Sequence, residues 1–197
     1  MTNARNDPGI EVLFDPEKEA ALEADREQYR FPNLVAKYKS VVEIQELEWI
    51  IDTLKESRLY MPTYKQLNDP LEGTGIKLPY ESPEARNDAR NEWRILAFSE
   101  TAFSPPLWAH YAKEYKGICL VYWTDGKEFA ELQPVAYVNY QQSKMLDPEI
   151  DREDAFFKKN WEWRYEQEWR ILRHDTSEKV YLKYDPSDLA AVILGYD

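Results

Sequence analysis

The chain has 197 residues and a formal net charge of −12, with 43% hydrophobic, 14% aromatic and 31% charged residues, a balance that fits one folded domain with a core of its own. So acidic a chain lacks the overall basic surface that holds nucleic acid by its phosphates, which leaves only a local patch or a strand end held as substrate. A single cysteine excludes an internal disulfide, the two histidines lie far apart with no zinc-site spacing, and no apolar run has the length of a membrane span or a signal-peptide core, so a cytoplasmic protein without a resident metal is expected.

Residues 1–14 read as an arm able to dock through Val12, Leu13 and Phe14. A charged surface helix follows, with Asp15 as N-cap and Pro16 at its first position. Residues 1–34 thus form an arm and a helix ahead of one domain over 35–197. "LVAKYKS" is a short strand. Ile44, Leu47, Ile50, Ile51 and Leu54 recur at helical spacing, which predicts a helix ending near Ser57, and "RLYM" after it is a strand. "YKQLNDPLEGTG" has the chemistry of a loop. Ser82 and Pro83 open a predicted helix over "SPEARNDARNEW", "RILAFS" is a buried strand, and "PPLWAHYAKEY" is a short helix closed before Gly117. Cys119 lies in "GICLVYW", the strongest strand pattern, and is expected to be buried and slow to react. "VAYVNY" is another strand and "DPEIDREDAFFKKNWEW" an acid-started helix. "RYEQEWRILR", "KVYLKY" and "AAVIL" are strands. No regular βαβ rhythm runs through this order. The expected fold is α+β, with mixed or antiparallel sheets forming a cleft between flanking helices.

Four stretches carry more polar chemistry than packing asks for. In "LNDPLEG", Asn68, Asp69 and Glu72 gather at one loop tip, expected on the rim of the cleft. In "AFSETAFSPPLWAHYA", a strand ending at Ser99 runs into a helix bearing Trp108, His110 and Tyr111. Core packing alone would explain that aromatic pair, and His110 is no base without a partner. Lys158 and Lys159, beside Trp161 and Trp163, fit a solvated helix face. In "YEQEWRIL", strand alternation places Glu166, Glu168 and Arg170 on one face. Two carboxylates there lie roughly 6.7 Å apart and repel by about 2.5 kcal/mol at an effective dielectric of ~20. Mutual repulsion raises one carboxyl's pKa while Arg170 lowers both. No glycine-rich phosphate loop, GxSxG elbow or HExxH motif is present.

In order, "KYK", "NDPLE", "FS", "LWAHYAKEYKGICLVY", "YEQEWR" and "VILG" resemble a family of bacterial and phage proteins, domain-of-unknown-function family 2971, over residues 36–195. The succession of strand, helix, "FS", helix with "YA", glycine-led apolar strand and E-x-E before a late strand is also similar to the ADP-ribosyltransferase fold. That resemblance implies an NAD-using transferase, a toxin or phage-defence effector. It makes Glu168 the catalytic glutamate and Glu166 the acceptor-activating one. It makes Ser99 the middle-strand serine, Tyr111 with Trp108 an aromatic wall for nicotinamide, and Tyr38 and Lys39 the first-strand contacts to the cofactor. Cleavage of a nicotinamide–ribose bond passes through an oxocarbenium-like state that one carboxylate stabilises, while a second takes the acceptor's proton. The partners so implied are a small-molecule nucleotide and an acceptor, either a protein or a nucleic acid end, with no membrane. Two other readings stay open. One is a binding module that recognises a nucleotide or a protein without chemistry. The other is a metal-dependent nuclease using Asp69, Glu72 and the glutamate pair.

Overall fold

Ten strands and two α-helices occur among residues 31–68, 91–138 and 154–196, the residues that the computed structural model describes. In chain order they are β1 (Leu34–Ser40), α1 (Ile44–Lys55), β2 (Arg58–Met61), β3 (Trp93–Ser99), α2 (Pro105–Tyr111), β4 (Gly117–Trp123) and β5 (Gln133–Pro134). Then come β6 (Ala136–Val138), β7 (Lys158–Asn160), β8 (Glu168–His174), β9 (Val180–Lys183) and β10 (Leu189–Leu194). The main sheet runs β10-β4-β1-β3-β8-β5, and every pairing in it is antiparallel. β2 pairs with β9 antiparallel, and β6 with β7 parallel. This is an α+β domain, as the pattern of elements predicts. No helix among the described residues is long and apolar enough to cross a membrane. The predicted helices over 15–30 and 82–93 start outside the described residues.

Both faces of the sheet are covered. One packs Val35, Leu96, Phe98, Leu120, Tyr122 and Ile171 against Ile50 of α1 and against Leu59, Met61 and Leu182 of the β2–β9 pair. The other packs Ala36, Tyr38, Cys119 and Val121 against Leu107 and Trp108 of α2. Alternation along each strand sends neighbouring side chains into different clusters, as a two-faced sheet requires. Helix α1 starts on a capping box, the Glu46 carboxylate accepting from the Val42 and Glu43 N–H groups at 2.8 and 3.0 Å. It touches the core only along its Ile50–Leu54 line. Ile44, Leu47 and Ile51, expected on the same buried stripe, are exposed.

Three predicted elements differ in the structure. Helix α2 stops at Tyr111 rather than Tyr115, because Lys113, Glu114 and Tyr115 all take positive φ (47°, 56° and 70°) and turn the chain towards Gly117. The helix expected over 147–163 is, in its described part, a 3-10 turn (Asp154–Phe157), the short strand β7 and a second 3-10 turn (Trp161–Glu166). The strand expected from residue 164 begins at Glu168.

Cys119 is fully buried in β4, and burial pushes its thiol up to about 12. Folded protein should therefore react with a maleimide at least ~100-fold more slowly than denatured protein, since only rare opening exposes a thiolate. Mass spectrometry of timed samples measures this, and equal rates would contradict it.

Seven consecutive residues of β1 pair with β4, and seven of β3 pair with β8. Between β1 and β3 there is a single rung, Ala36 opposite Ser99. Beyond it the two strands part. The freed edge of β3 is taken up by the chain after β2: the Ile95 N–H donates to the Pro62 carbonyl at 2.8 Å, and Thr63 bridges to Arg94. The central sheet is therefore split.

Candidate functional site

A cavity of about 250 Å³ occupies the split. Consecutive residues of both strands line it, Ala36 to Lys39 from β1 and Ala97 to Ser99 from β3, as expected of a gap between strands rather than a hollow on one face. Pro62, Gln66, Leu67 and Asn68 close one end. Leu107 and Tyr111, one turn apart on α2, and then Lys159, Glu166 and Glu168 complete the wall.

The carboxylates are held by buried cations. Glu168 opens β8 at the rung facing Ser99, and Arg170 lies two residues on, on the same sheet face. Arg170 grips both Glu168 oxygens, Nε to Oε1 at 2.7 Å and Nη2 to Oε2 at 2.8 Å, and also donates to the Phe156 carbonyl. Lys159 Nζ donates to Glu168 Oε2 at 3.1 Å and to Glu166 Oε2 at 2.5 Å. The Tyr111 hydroxyl donates to Glu166 Oε1 at 2.5 Å. All four ionic side chains are at least nine-tenths buried. Burial alone would raise Glu168, but Arg170 and then Lys159 outweigh it and hold its carboxyl at about 2. For Glu166 burial prevails, with Lys159 opposing and Glu168 reinforcing, and its carboxyl is raised. The pair is thus driven apart into one permanent anion and one group able to take up a proton. Burial and the neighbouring Glu166 raise the Tyr111 hydroxyl, so it stays a donor.

Glu166 and Glu168 do not share a strand, which corrects the face-sharing expectation for Glu166. Glu166 ends the 3-10 turn, and Gln167 sits in the left-handed region (φ 44°, ψ 54°) before β8 starts. That kink swings Glu166 back beside Glu168, where Lys159 bridges them. A β-branched residue cannot hold this conformation without strain. Gln167→Val should cost about 1–2 kcal/mol in urea unfolding, whereas Gln167→Gly should be neutral within a few tenths. A neutral Gln167→Val would show that the turn relaxes freely.

Of the residues singled out in the sequence, Tyr38, Lys39, Asn68, Ser99, Tyr111, Lys159, Glu166 and Glu168 line this cavity. Tyr38 spends its hydroxyl on structure: it donates to the Thr101 carbonyl at 2.8 Å and accepts from the Ser104 N–H at 3.3 Å. Ser99 Oγ accepts from the Thr101 N–H at 3.2 Å. Trp108 does not line the cavity. Its ring is core, with Nε1 donating to the Ala102 carbonyl at 2.9 Å and the indole stacked on Tyr115. His110 is exposed beside Tyr165 and outside the cavity. Arg170 lies behind Glu168 rather than in the lining. Asp69 and Glu72 lie outside the described residues. Lys159 is the main correction: it is a buried strand residue between two carboxylates, not part of a solvated helix face. Among the described residues, no group of three His, Cys, Asp or Glu side chains is placed to hold a metal ion.

Residues 107–171 match the model of the family described as "Protein of unknown function (DUF2971)". The matched stretch runs from α2 into β8 and contains Tyr111, Lys159, Glu166, Glu168 and Arg170, so it spans the ionic wall of the cavity. No curated protein and no solved structure matches the chain.

Proposed function

We propose that the chain is an NAD-using ADP-ribosyltransferase-like enzyme, acting as a toxin or phage-defence effector. The observation that carries this reading is the meeting of β1, β3 and β8 as neighbours around one split. Their first-strand, middle-strand and late-strand positions (Tyr38 with Lys39, Ser99, and Glu168) all reach the same cavity. Glu168, ionised at any physiological pH, would hold the ribose 2′-hydroxyl and face the positive charge that develops as the nicotinamide bond opens. Glu166 would receive the acceptor's proton, a role its raised carboxyl suits. The volume falls just below the roughly 300–1,000 Å³ of drug-sized pockets. The nicotinamide–ribose end would therefore lie inside, with the adenosine end out along the rim. Incubation of the chain with NAD, with and without total cell protein as acceptor, tests the reading through released nicotinamide and transferred ADP-ribose. Absence of both would sink it.

One observation favours a second reading, a binding module without chemistry. Both Glu168 oxygens are already engaged by Arg170 and Lys159. Under that reading NAD or a simpler nucleotide raises the melting temperature while nothing is consumed.

A further inference from the structure

Lys37 is the group in the cavity that the proposed transfer leaves unused. It reaches across the split, its Nζ donating to the Ala97 carbonyl at 2.7 Å and lying 5.6 Å from the centre of the Phe98 ring. Lys39 lines the same cavity two residues along the strand, hence on the same side of β1, roughly 6.7 Å further along the backbone. Neither lysine has an ion pair among the described residues. The cavity thus contains two amines without counterions, next to a wall whose own charges are already paired with one another. That is the electrostatic signature of a place for an anion.

The two amines are not equivalent. Burial, and then Lys39, hold Lys37 at about 7, with Glu168 acting in the opposite sense. A lysine lowered so far carries a much larger share of neutral amine at neutral pH than one at its ordinary value. An amine that is neutral, oriented by a carbonyl and open to a cavity is a nucleophile.

We propose that Lys37 is a covalent binding site for a small aldehyde or ketone bearing a phosphate, held as an imine on Nζ with the phosphate against Lys39. The Nζ lone pair attacks the carbonyl carbon, the carbonyl oxygen takes up a proton, and the carbinolamine loses water to leave the C=N bond. One amine and one carbonyl give one imine and one water, with no oxidant or reductant. Glu166 lines the same cavity and would be the carboxyl to protonate the departing hydroxyl. A bound phosphate would also raise the Lys39 amine back towards its ordinary value, below which burial holds it. This site does not depend on the transferase reading, and absence of NAD turnover leaves it standing.

The test uses the full chain with pyridoxal 5′-phosphate and, separately, pyridoxal, each trapped with borohydride and mapped by peptide mass spectrometry. Lys37 should label on the order of 10-fold faster at pH 7 than exposed Lys65, Lys116 or Lys127, because its large excess of free amine outweighs its lower intrinsic basicity. Its rate should rise with pH and level off above about 7. The other charged or titratable groups around the cavity are Tyr38 and Lys39 on the same strand, Glu168 on β8, Lys159 on β7, and Glu166 and Tyr111 at the wall. The phosphate probe should outpace pyridoxal in the wild type, and Lys39→Met should abolish that preference. Lys37→Arg keeps a donor for Ala97 and should lose the fast reaction, at some cost in melting temperature because it fixes a charge where burial and Lys39 oppose one. Labelling of Lys37 no faster than the exposed lysines, or a fast reaction that persists in Lys37→Arg, overturns the imine site. Equal rates for the two probes overturn the phosphate subsite.

Discussion

Glu168→Gln is expected to lower NAD turnover per folded molecule on the order of 100-fold, the equivalent of ~3 kcal/mol in the barrier. The amide keeps the shape of the side chain and can still hydrogen-bond, but it carries no charge with which to meet an oxocarbenium-like ribose. The same change also has a structural cost. Glu168 lies between Arg170 and Lys159, both at most 4% exposed. Removing its charge leaves those cations short of a counterion, and breaking buried pairs of this kind typically costs about 3–5 kcal/mol. Activity must therefore be measured well below the variant's melting temperature and divided by the folded fraction. A purely structural Glu168 predicts the stability loss with turnover per folded molecule unchanged. Full turnover per folded molecule would end the transferase reading and leave Glu168 as a carboxylate that serves the fold.

Much of this wall was legible in the chain because it is local. "YEQEWRIL" places Glu168 and Arg170 two residues apart, and strand alternation does bring them to one face. The charge of Arg170 predicts the low Glu168 carboxyl; the raised Glu166 carboxyl owes most to burial, with the expected repulsion from Glu168 adding to it. Ser99 and Asn68 were readable as polar groups at a strand end and in a loop, where such termini meet a cleft, and Tyr111 as an aromatic on the helix that follows. The split itself was not legible. It comes from the register of β1 against β3, strands more than fifty residues apart in the chain, and from Pro62 and Thr63 taking the edge that β1 leaves. Lys159 was missed because a lysine next to a lysine reads as solvated surface. The signal that could have found it was the puzzle of the glutamate pair: beside Arg170 a second cation is needed, and the nearby candidates upstream are Arg164, Lys159 and Lys158. Gln167 gave no sign, since glutamine is not a residue that marks a left-handed turn.

Lys159→Met is expected to destabilise the fold at pH 7 by about 3–5 kcal/mol, because it strips a cation from between Glu166 and Glu168. Its pH dependence is the more specific readout. Lys159 opposes the rise of the Glu166 carboxyl, so removing it should raise that group further above its unfolded value. A carboxyl with a raised native pKa binds its proton more tightly in the folded state. Its contribution to stability is therefore present at low pH and lost as pH rises through the folded pKa. The variant should accordingly gain stability on acidification from neutral pH towards the unfolded value of about 4.3, more steeply than wild type. Glu168 gives the opposite sign in a lower window. Its folded carboxyl, at about 2, lies below its unfolded value, so its stabilisation is present above roughly pH 4.3 and fades only as pH falls towards 2. The two effects can thus be separated by titration. Adding Glu166→Gln removes the carboxylate that Lys159 neutralises, so the double variant should regain much of the lost stability and lose the added slope, a coupling of at least ~1 kcal/mol. Urea unfolding of wild type, both single variants and the double variant across this pH range closes the cycle. Strict additivity, with the acid-side gain retained in the double variant, would mean that Lys159 stabilises the fold through something other than the glutamate it touches at 2.5 Å.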